Sequence, residues 1–597
     1  MTRKRPKQGS GRKRQASPPV KLSLRKKLLF SAITVPLVLV MLELALALFG
    51  VQPTLYESDP YVGFAPVPLF VEEERPDGTV QCVTARNKLR LFNVQTFPRE
   101  KPPGTYRIFS VGGSTTHGRP YDDATSFSGW LREYLRATST ERRWEVINAG
   151  GVSYASYRAA LLMEQLIQYE PDLFIIYSGH NEFLEERTYG DIKDIPEWVL
   201  RISTWAARSR AATLASNAIQ SVASSWSESP RKNELNNEVD TQMIGLSAYR
   251  RDDALQENVL KHYRYSLSRM IDIAHSVGAR VVLITPASNL LGASPFKSEN
   301  RAGLTENELA RWNEQYQLAE QKLGQGAPVE ALAALDQAVK IDDRHATAHF
   351  RRGHALAQLG RYDEAKVALV RAMDEDVCPL RALSPMSEIV AQVATKRKIP
   401  LIDFVAIQEE HSQHGIPGDG VFLDHVHPTI EAHRLLALEI LNVMASEGIA
   451  NPDMDDATLL QVSSDVMSQI DPAAHGRALM NLSKVLGWAG KLREAYRLAV
   501  KAAELIPDSA AAQYQAGITA QLVGKLEESI DHYRMVIEIE PTAALAHGNL
   551  GVSLEARGDL AGAVRHYERS LKYGEPKDAE RNQRNLARAQ QKLRQSP

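Results

Sequence analysis

The chain has 597 residues, enough for several domains. Hydrophobic residues make up 44% and charged residues 24%, which excludes a largely disordered chain. Lys+Arg total 71 against 72 Asp+Glu, so a net charge of −1 gives no reason to expect a nucleic-acid partner, and two cysteines, Cys82 and Cys378, exclude a disulfide scaffold or a Cys-based zinc cluster.

The charge is unevenly placed. Residues 1–27 carry eleven Lys or Arg and no acid. Leu28–Val51 then runs 24 residues with one charge, Glu43. At ~1.5 Å per residue such a helix exceeds the ~30 Å hydrocarbon core, so it can span. The basic flank predicts a cytoplasmic tail and an N-terminal transmembrane helix, with the bulk of the chain periplasmic or otherwise outside the cytoplasm. The rival is a cleaved signal peptide, because Ala45-Leu46-Ala47 imitates a cleavage site. The length of the apolar run and of the basic region favours an uncleaved anchor. Glu43 is costly in lipid and is expected near the interface or against a partner helix. Residues 52–99, rich in Pro and turn residues, read as a connector with room for a hairpin.

From residue 100 short apolar runs alternate with amphipathic stretches. Strands are predicted at Arg107–Val111, Glu145–Asn148, Leu173–Tyr177, Arg280–Thr285 and Pro400–Phe404. Helices are predicted near Phe127–Ala137, Tyr157–Gln168, Gln256–His275, Met386–Thr395 and Thr429–Ala445. Strands apolar on both faces and separated by helices predict an α/β fold with a parallel sheet, whose ligands sit at the carboxyl ends of strands. Residues 190–250 carry Trp198, Trp205 and Trp226, then a polar stretch. They read equally as a lid or as a plain insertion.

A second architecture interrupts the first. Gly326 and Gly360, Ala331 and Ala365, Ala338 and Ala372, and Ala319 and Gly353 are each 34 apart. Gly490, Gly524 and Gly558 repeat that step, as do Ala495, Ser529 and Ala563, and Pro507 and Pro541. A 34-residue period is that of tetratricopeptide repeats, in which small residues recur where two helices cross closely. Two repeats are expected at 312–345 and 346–379, and three at 476–509, 510–543 and 544–577. The expected layout is therefore an α/β domain in two parts, 100–305 and 380–450, with inserted repeats at 306–379. A linker at 451–475, C-terminal repeats at 476–577 and a capping helix and tail at 578–597 complete it.

Four segments fall where strands end or a helix begins. Gly112-Gly113-Ser114-Thr115 follows the first strand, so Ser114 sits on a tight bend with its hydroxyl and N–H able to face a ligand. Asn148-Ala149-Gly150-Gly151-Val152-Ser153-Tyr154 follows the second. Ser178-Gly179-His180-Asn181-Glu182 follows the third, and a side-chain amide there can donate to an oxyanion. Asp424-His425-Val426-His427-Pro428 precedes the last helix; His427 can take a proton from a serine hydroxyl, and Asp424 can orient the imidazole. Other readings stand beside these. Ser114 can be a turn residue, Asp424 a helix cap, and Asn181 a loop hydrogen-bonder. Asp424, His425 and His427 can be part of a metal site, although a third and fourth ligand type at suitable spacing is lacking. His117, His180 and Tyr154 can line the pocket or simply make hydrogen bonds.

Together the four blocks resemble the SGNH (GDSL-like) hydrolase family. The Gly-His-Asn-Glu-Phe sequence with a repeat-bearing tail looks like its bacterial membrane-anchored branch carrying tetratricopeptide repeats. The resemblance implies a flavodoxin-like, doubly wound sheet with Ser114, Asp424 and His427 as catalytic residues. It implies an oxyanion hole from Ser114, Gly151 or Ser153, and Asn181, with no cofactor and no metal. The chain departs from the family in three places. The first block lacks the Asp of Gly-Asp-Ser; the family's oxyanion Gly aligns best with Ser153; and Glu182 stands where Asp is common. The resemblance implies an esterase or O-acyltransferase acting on acylated glycans or lipids of the cell envelope, its repeats recruiting protein partners. The alternative is an inactive envelope scaffold that binds proteins through its repeats.

Overall fold

The computed structural model describes residues 24–53, 63–64, 67–186, 209–214 and 249–595. The basic run before residue 24 and the three tryptophans of 190–250 lie outside them. The chain forms two compact units, one holding the N-terminal helix and residues near 209–214, the other nearly all the rest.

In the first unit, α1 (Leu24–Leu48) is a continuous helix. Its stretch Arg25–Leu48 has a mean hydropathy of 2.3 over the most apolar window, the length and composition of a membrane span or a signal sequence. Glu43 does not stand bare on it. Its carboxylate accepts hydrogen bonds from Ser209 Oγ and from the backbone N–H groups of Arg210 and Ala211, which open a helical turn at 210–214.

The second unit opens with the hairpin for which the expected connector left room, extended by a third strand. Residues 70–98 form an antiparallel sheet of β1 (Phe70–Glu74), β2 (Val80–Thr84) and β3 (Thr96–Pro98), in the order β1-β2-β3. Phe70, Cys82 and Phe97 are buried in one cluster with Phe109 and Tyr169 of the α/β domain. Alternation along Val80–Thr84 supplies the pattern, and burial of its inward face supplies the stability. Cys82 and Cys378 form no disulfide and lie in separate buried clusters.

The α/β domain follows with β4 (Thr105–Gly112), α2 (Ser114–His117), α3 (Phe127–Thr138), β5 (Arg143–Gly150), α4 (Ser156–Leu166) and β6 (Leu173–Tyr177). Then come α5 (Asp253–Ser276) and β7 (Arg280–Ile284). Two helix hairpins intervene: α6 (Glu306–Gly324) with α7 (Pro328–Ile341), and α8 (Ala346–Gln358) with α9 (Tyr362–Asp374). The domain resumes with α10 (Ser384–Arg397), β8 (Leu401–Ile402), α11 (Phe404–Glu410) and α12 (Ile430–Ser446).

The five strands are all parallel and ordered β5-β4-β6-β7-β8. This is the flavodoxin-like doubly wound order, with its switch point between β4 and β6. Alternate strand residues serve opposite faces. Phe109, Val111, Phe174, Ile176, Val281 and Leu283 pack toward α4, α5 and α10. Ile108, Leu173, Ile175, Val282 and Ile284 pack toward α3 and α12. Fully buried strands of this kind need apolar side chains on both faces, which is why their sequences do not alternate.

The inserted hairpins share the first of these cores: Leu332, Leu335, Phe350 and Leu369 join Met386 and Val390 of α10. Two repeats that could not bury their own faces thus use the α/β domain as the next layer. Beyond α12, the expected linker holds α13 (Asp456–Ser468), capped by Asp455 and packed by Val462 and Val466 on the α3 side of the sheet. Its apolar positions Leu459, Val462 and Val466 fall at helical spacing. The C-terminal array is three hairpins and a last helix: α14 (Pro472–Trp488), α15 (Leu492–Leu505), α16 (Ala510–Leu522), α17 (Leu526–Ile539), α18 (Ala544–Arg557), α19 (Leu560–Tyr573) and α20 (Pro576–Gln595).

Candidate active site

β4 ends at Gly112 in register with Gly150 of β5 and Tyr177 of β6. The chain then turns at Gly113 into the short helix α2, whose first residue is Ser114. Both glycines are needed because backbone and side chains close in on them. A Cβ at Gly112 would lie 1.9 Å from the Tyr177 carbonyl oxygen, and one at Gly113 would lie 2.6 Å from Asn181 Nδ2. Ser114 therefore projects from the carboxyl edge of the sheet beside the switch point, on the first turn of a helix, where N–H groups lack intrahelical acceptors.

His427 comes to it from the opposite end of the domain. Its Nε2 lies 2.9 Å from Ser114 Oγ, and its Nδ1 lies 2.6 Å from Asp424 Oδ2. With a carboxylate as acceptor, Nδ1 carries the proton and Nε2 accepts from the serine hydroxyl. Asp424 Oδ1 also accepts from the N–H groups of Val426 and His427, at 2.9 and 2.8 Å. The loop closes on itself where Leu423 N–H donates to the His427 carbonyl, at 2.8 Å. Thr429, not Asp424, caps the following helix, by accepting from Ala432 N–H. Both ring nitrogens of His427 are thus engaged by Ser114 and Asp424, which leaves none to ligate a metal without breaking this network.

All three side chains are buried. Burial pushes the Asp424 carboxyl up, but the His427 and His425 rings and the hydrogen bonds from His427 outweigh it and hold the carboxyl well below the usual carboxylate range. Asp424 is therefore a fixed anion beside an imidazole that can accept a proton. His425 points elsewhere, edge-on to Phe296 at 5.0 Å, and burial lowers it to about 4.

The oxyanion candidates divide. Asn181 packs its amide over Gly113 and donates one Nδ2 hydrogen to the Tyr154 carbonyl at 3.0 Å, which leaves its second amide hydrogen on the same nitrogen. Ser153 adopts φ 62°, the left-handed region that favours glycine, so the position keeps the backbone bend without the residue type. Gly151 is a correction: its N–H donates to the Gly112 carbonyl at 3.0 Å, extending the β4–β5 ladder, and so cannot serve an oxyanion. Glu182 accepts from Ser156 N–H at 2.9 Å and Ser156 Oγ at 2.7 Å. The carboxylate at this position thus ties the third block to the start of α4, a structural task that the longer side chain performs.

Three residues escaped the sequence reading. Asn289, beyond β7, donates from Nδ2 to the Asp424 carbonyl at 3.1 Å and from its N–H to the His425 carbonyl at 3.1 Å. Its place at a strand's carboxyl end was the available signal. Arg158 donates to the Ser153 carbonyl, stands 4.4 Å above the Tyr154 ring, and is held by Glu185 at 2.5 Å. Nothing in the spacing of Arg158 and Glu185 marks them. Of the histidines considered as lining, His180 accepts at Nδ1 from Ala382 N–H at 3.2 Å, and burial lowers both it and His117 to about 3. A cleft of about 1330 Å³ lies among the inserted hairpins, the loops at Leu291–Pro295 and His411–Gly420, and the turn at Gly490–Arg497, and another of about 730 Å³ lies beside His117. Ser114 and His427 line neither.

A family model described as a tetratricopeptide repeat matches residues 322–377. No curated protein matches the chain. Solved structures similar to parts of it include one described as a lipolytic protein of the G-D-S-L family from Desulfitobacterium hafniense DCB-2. That structure is 11% identical, with 56% of this chain and 98% of that one covered and a TM-score of 0.25. The Sgt2 tetratricopeptide domain from Aspergillus fumigatus is 18% identical, with 20% and 79% covered and a TM-score of 0.19. YrrB, described as a tetratricopeptide protein with an unusual peptide-binding site, is 15% identical, with 48% and 98% covered and a TM-score of 0.18.

Proposed function

We propose that this chain is a membrane-anchored serine esterase or O-acyltransferase. The observation that carries the reading is the hydrogen-bonded relay Ser114–His427–Asp424 at the carboxyl edge of a parallel sheet. Ser114 Oγ attacks an ester carbonyl carbon while its proton passes to His427 Nε2. Asp424 stays ionised and stabilises the imidazolium. The N–H of Ser114, the backbone at Ser153 and the second amide hydrogen of Asn181 are the donors for the oxyanion. As the carbonyl reforms, the bond to the alcohol breaks and His427 returns the proton to the leaving oxygen. Water, or a sugar hydroxyl, then attacks the acyl–Ser114 carbonyl; its proton passes through His427 back to Ser114 Oγ, and an acid or a new ester leaves.

The resemblance of the four blocks suggests acyl groups on envelope glycans or lipids as the substrate. The apolar helix with its basic flank supports a single-pass anchor in the inner membrane, N-terminus cytoplasmic and bulk periplasmic. The repeats are read as surfaces for protein partners. An assembled relay favours an enzyme over a pure scaffold, since a scaffold needs no buried carboxylate behind a serine-bound imidazole. Purified full chain in detergent is expected to hydrolyse an aryl acetate, and Ser114→Ala is expected to lower kcat/KM by ~10⁴-fold or more. Equal rates for the two proteins would refute the reading.

A further inference from the structure

We propose that the first hairpin of the C-terminal array, α14–α15, is a working part of the active site, and that Arg497 is a positioning residue for the Asp424–His427 loop. The inference rests on the reading of Ser114, His427 and Asp424 as the reacting groups.

The bonds inside the loop fix its shape but not its place. Leu423 N–H to the His427 carbonyl and the three bonds to the Asp424 carboxylate would survive a rigid shift of the whole loop away from Ser114. Two polar tethers from outside hold its backbone in place. One is Asn289, through the Asp424 and His425 backbone. The other is Arg497 of α15, whose Nη2 donates to the Leu423 carbonyl at 2.6 Å and lies 3.1 Å from Asp419 Oδ1. The same Asp419 oxygen accepts from Asn289 Nδ2 at 2.9 Å. Arg497, Asp419, Asn289 and the Leu423–Asp424 backbone thus form one closed circuit around the residue that orients His427.

Apolar contacts follow the same path. The Leu423 side chain is buried in the core of α14–α15, with Leu479, Met480 and Leu498. Tyr121 joins that core from the nucleophile's side: its N–H donates to the Gly118 carbonyl just beyond α2, and its ring stacks on His475 of α14 at 4.0 Å. A further polar tether reaches the neighbouring loop. Lys491 Nζ, at the α14–α15 turn, donates to the carbonyls of Ser294 and Pro295 at 2.6 and 2.8 Å and sits 4.2 Å over Phe296, the ring that meets His425. One hairpin therefore grips the segment after Ser114 and the residue before Asp424. A hairpin that merely needed a resting place could dock anywhere on the α/β domain; this one docks on both halves of the relay.

The consequence is geometric. A misplacement of ~1 Å at a reacting pair can cost ~10²-fold in rate. Arg holds Leu423 and Asp419 together with one planar fork, which Lys cannot copy in full. In the full chain, Arg497→Ala is expected to lower kcat on an aryl acetate at least tenfold with KM nearly unchanged. It is also expected to shift or abolish the far-downfield proton resonance of the His427–Asp424 hydrogen bond, while the thermal melt stays cooperative. Arg497→Lys should recover part of both signals. Asp419→Asn, which keeps an acceptor for Asn289 but removes the charge facing Arg497, should move both in the same direction by less. Arg565→Ala, on exposed α19 surface, should change neither. Wild-type kcat and an unchanged downfield resonance in folded Arg497→Ala would overturn the inference. If the wild-type chain hydrolyses no ester, the catalytic reading fails, and the downfield resonance alone still decides whether Arg497 positions the loop.

Discussion

Asp424 shows how much of the chemistry depends on one side chain's surroundings. It is buried, yet two histidines and three hydrogen bonds keep it ionised. Because its folded pKa lies below the unfolded value, its contribution to stability is present above the unfolded pKa of ~3.9 and is lost as pH falls through the folded value. Asp424→Asn keeps the shape but turns the Nδ1 partner into an amide that favours the wrong tautomer, so kcat is expected to fall ~10⁴-fold in ester assays with KM little changed. Asn181→Ala removes one oxyanion donor and should cost ~10²- to 10³-fold in the same assay. A loss under threefold for Asn181→Ala would remove it from the oxyanion site. The proximity of Ser114, His427 and Asp424 could be anticipated because each sits in a short block tied to a strand end or helix start. Gly151 was misjudged for a reason no spacing reveals: the strand runs on to Gly150, and the ladder takes the Gly151 N–H. Arg158 acts through a backbone carbonyl, which accepts from many residue types and leaves no mark in the sequence, and Asn289 was marked only by its place beyond a strand's carboxyl end.

Elements were legible where their period was strong. The five strands and the repeat hairpins follow from apolar runs and a 34-residue step, yet the reason for part of that step differs from the expected one. Gly326, Gly360, Gly490, Gly524 and Gly558 all have positive φ, and a Cβ would meet nothing within 4 Å at any of them. They close left-handed turns between paired helices rather than helix crossings. The crossings use Gly353, where a Cβ would stand 2.6 Å from Leu369 Cγ, and Gly517 and Gly551, which face the rings of Tyr533 and Tyr567 at 2.6 and 2.7 Å. The sheet at 70–98 was legible only as room for a hairpin, and the helix at 456–468 only as a linker, because each gains its stability from packing on the larger domain. The last helix makes a prediction of its own. Glu555 of α18 is held at about 2 by Arg588, Lys592 and Tyr567 against the desolvation that would raise it. Its depressed pKa stabilises the array above the unfolded value of ~4.3 and ceases to do so as pH falls toward 2. Glu555→Gln should therefore destabilise the chain at pH 7, by at most about 1 kcal/mol per screened ion pair lost, measured by denaturant unfolding of the full chain, and that difference should shrink steadily between pH 4 and pH 2. A pH-independent difference would assign the loss to packing instead.

At the scale of the whole second unit, the two repeat sets differ in what they lean on. The inserted pair completes its core with α10 and the sheet face, while the C-terminal array begins on the loops that carry the relay. The docking of the C-terminal array was not legible in advance, because a repeat period describes neighbours within an array and says nothing of what its first member touches; that two inserted repeats lean on the sheet domain follows from their being too few to bury their own faces. Whatever the substrate, the proposed chemistry requires that Ser114 be an activated nucleophile. Full-length chain treated with a fluorophosphonate and mapped by peptide mass spectrometry tests that requirement directly. The expected result is a single stoichiometric adduct on Ser114, absent from His427→Ala. An unmodified Ser114 in folded protein, or labelling that persists at the same rate without His427, would contradict it.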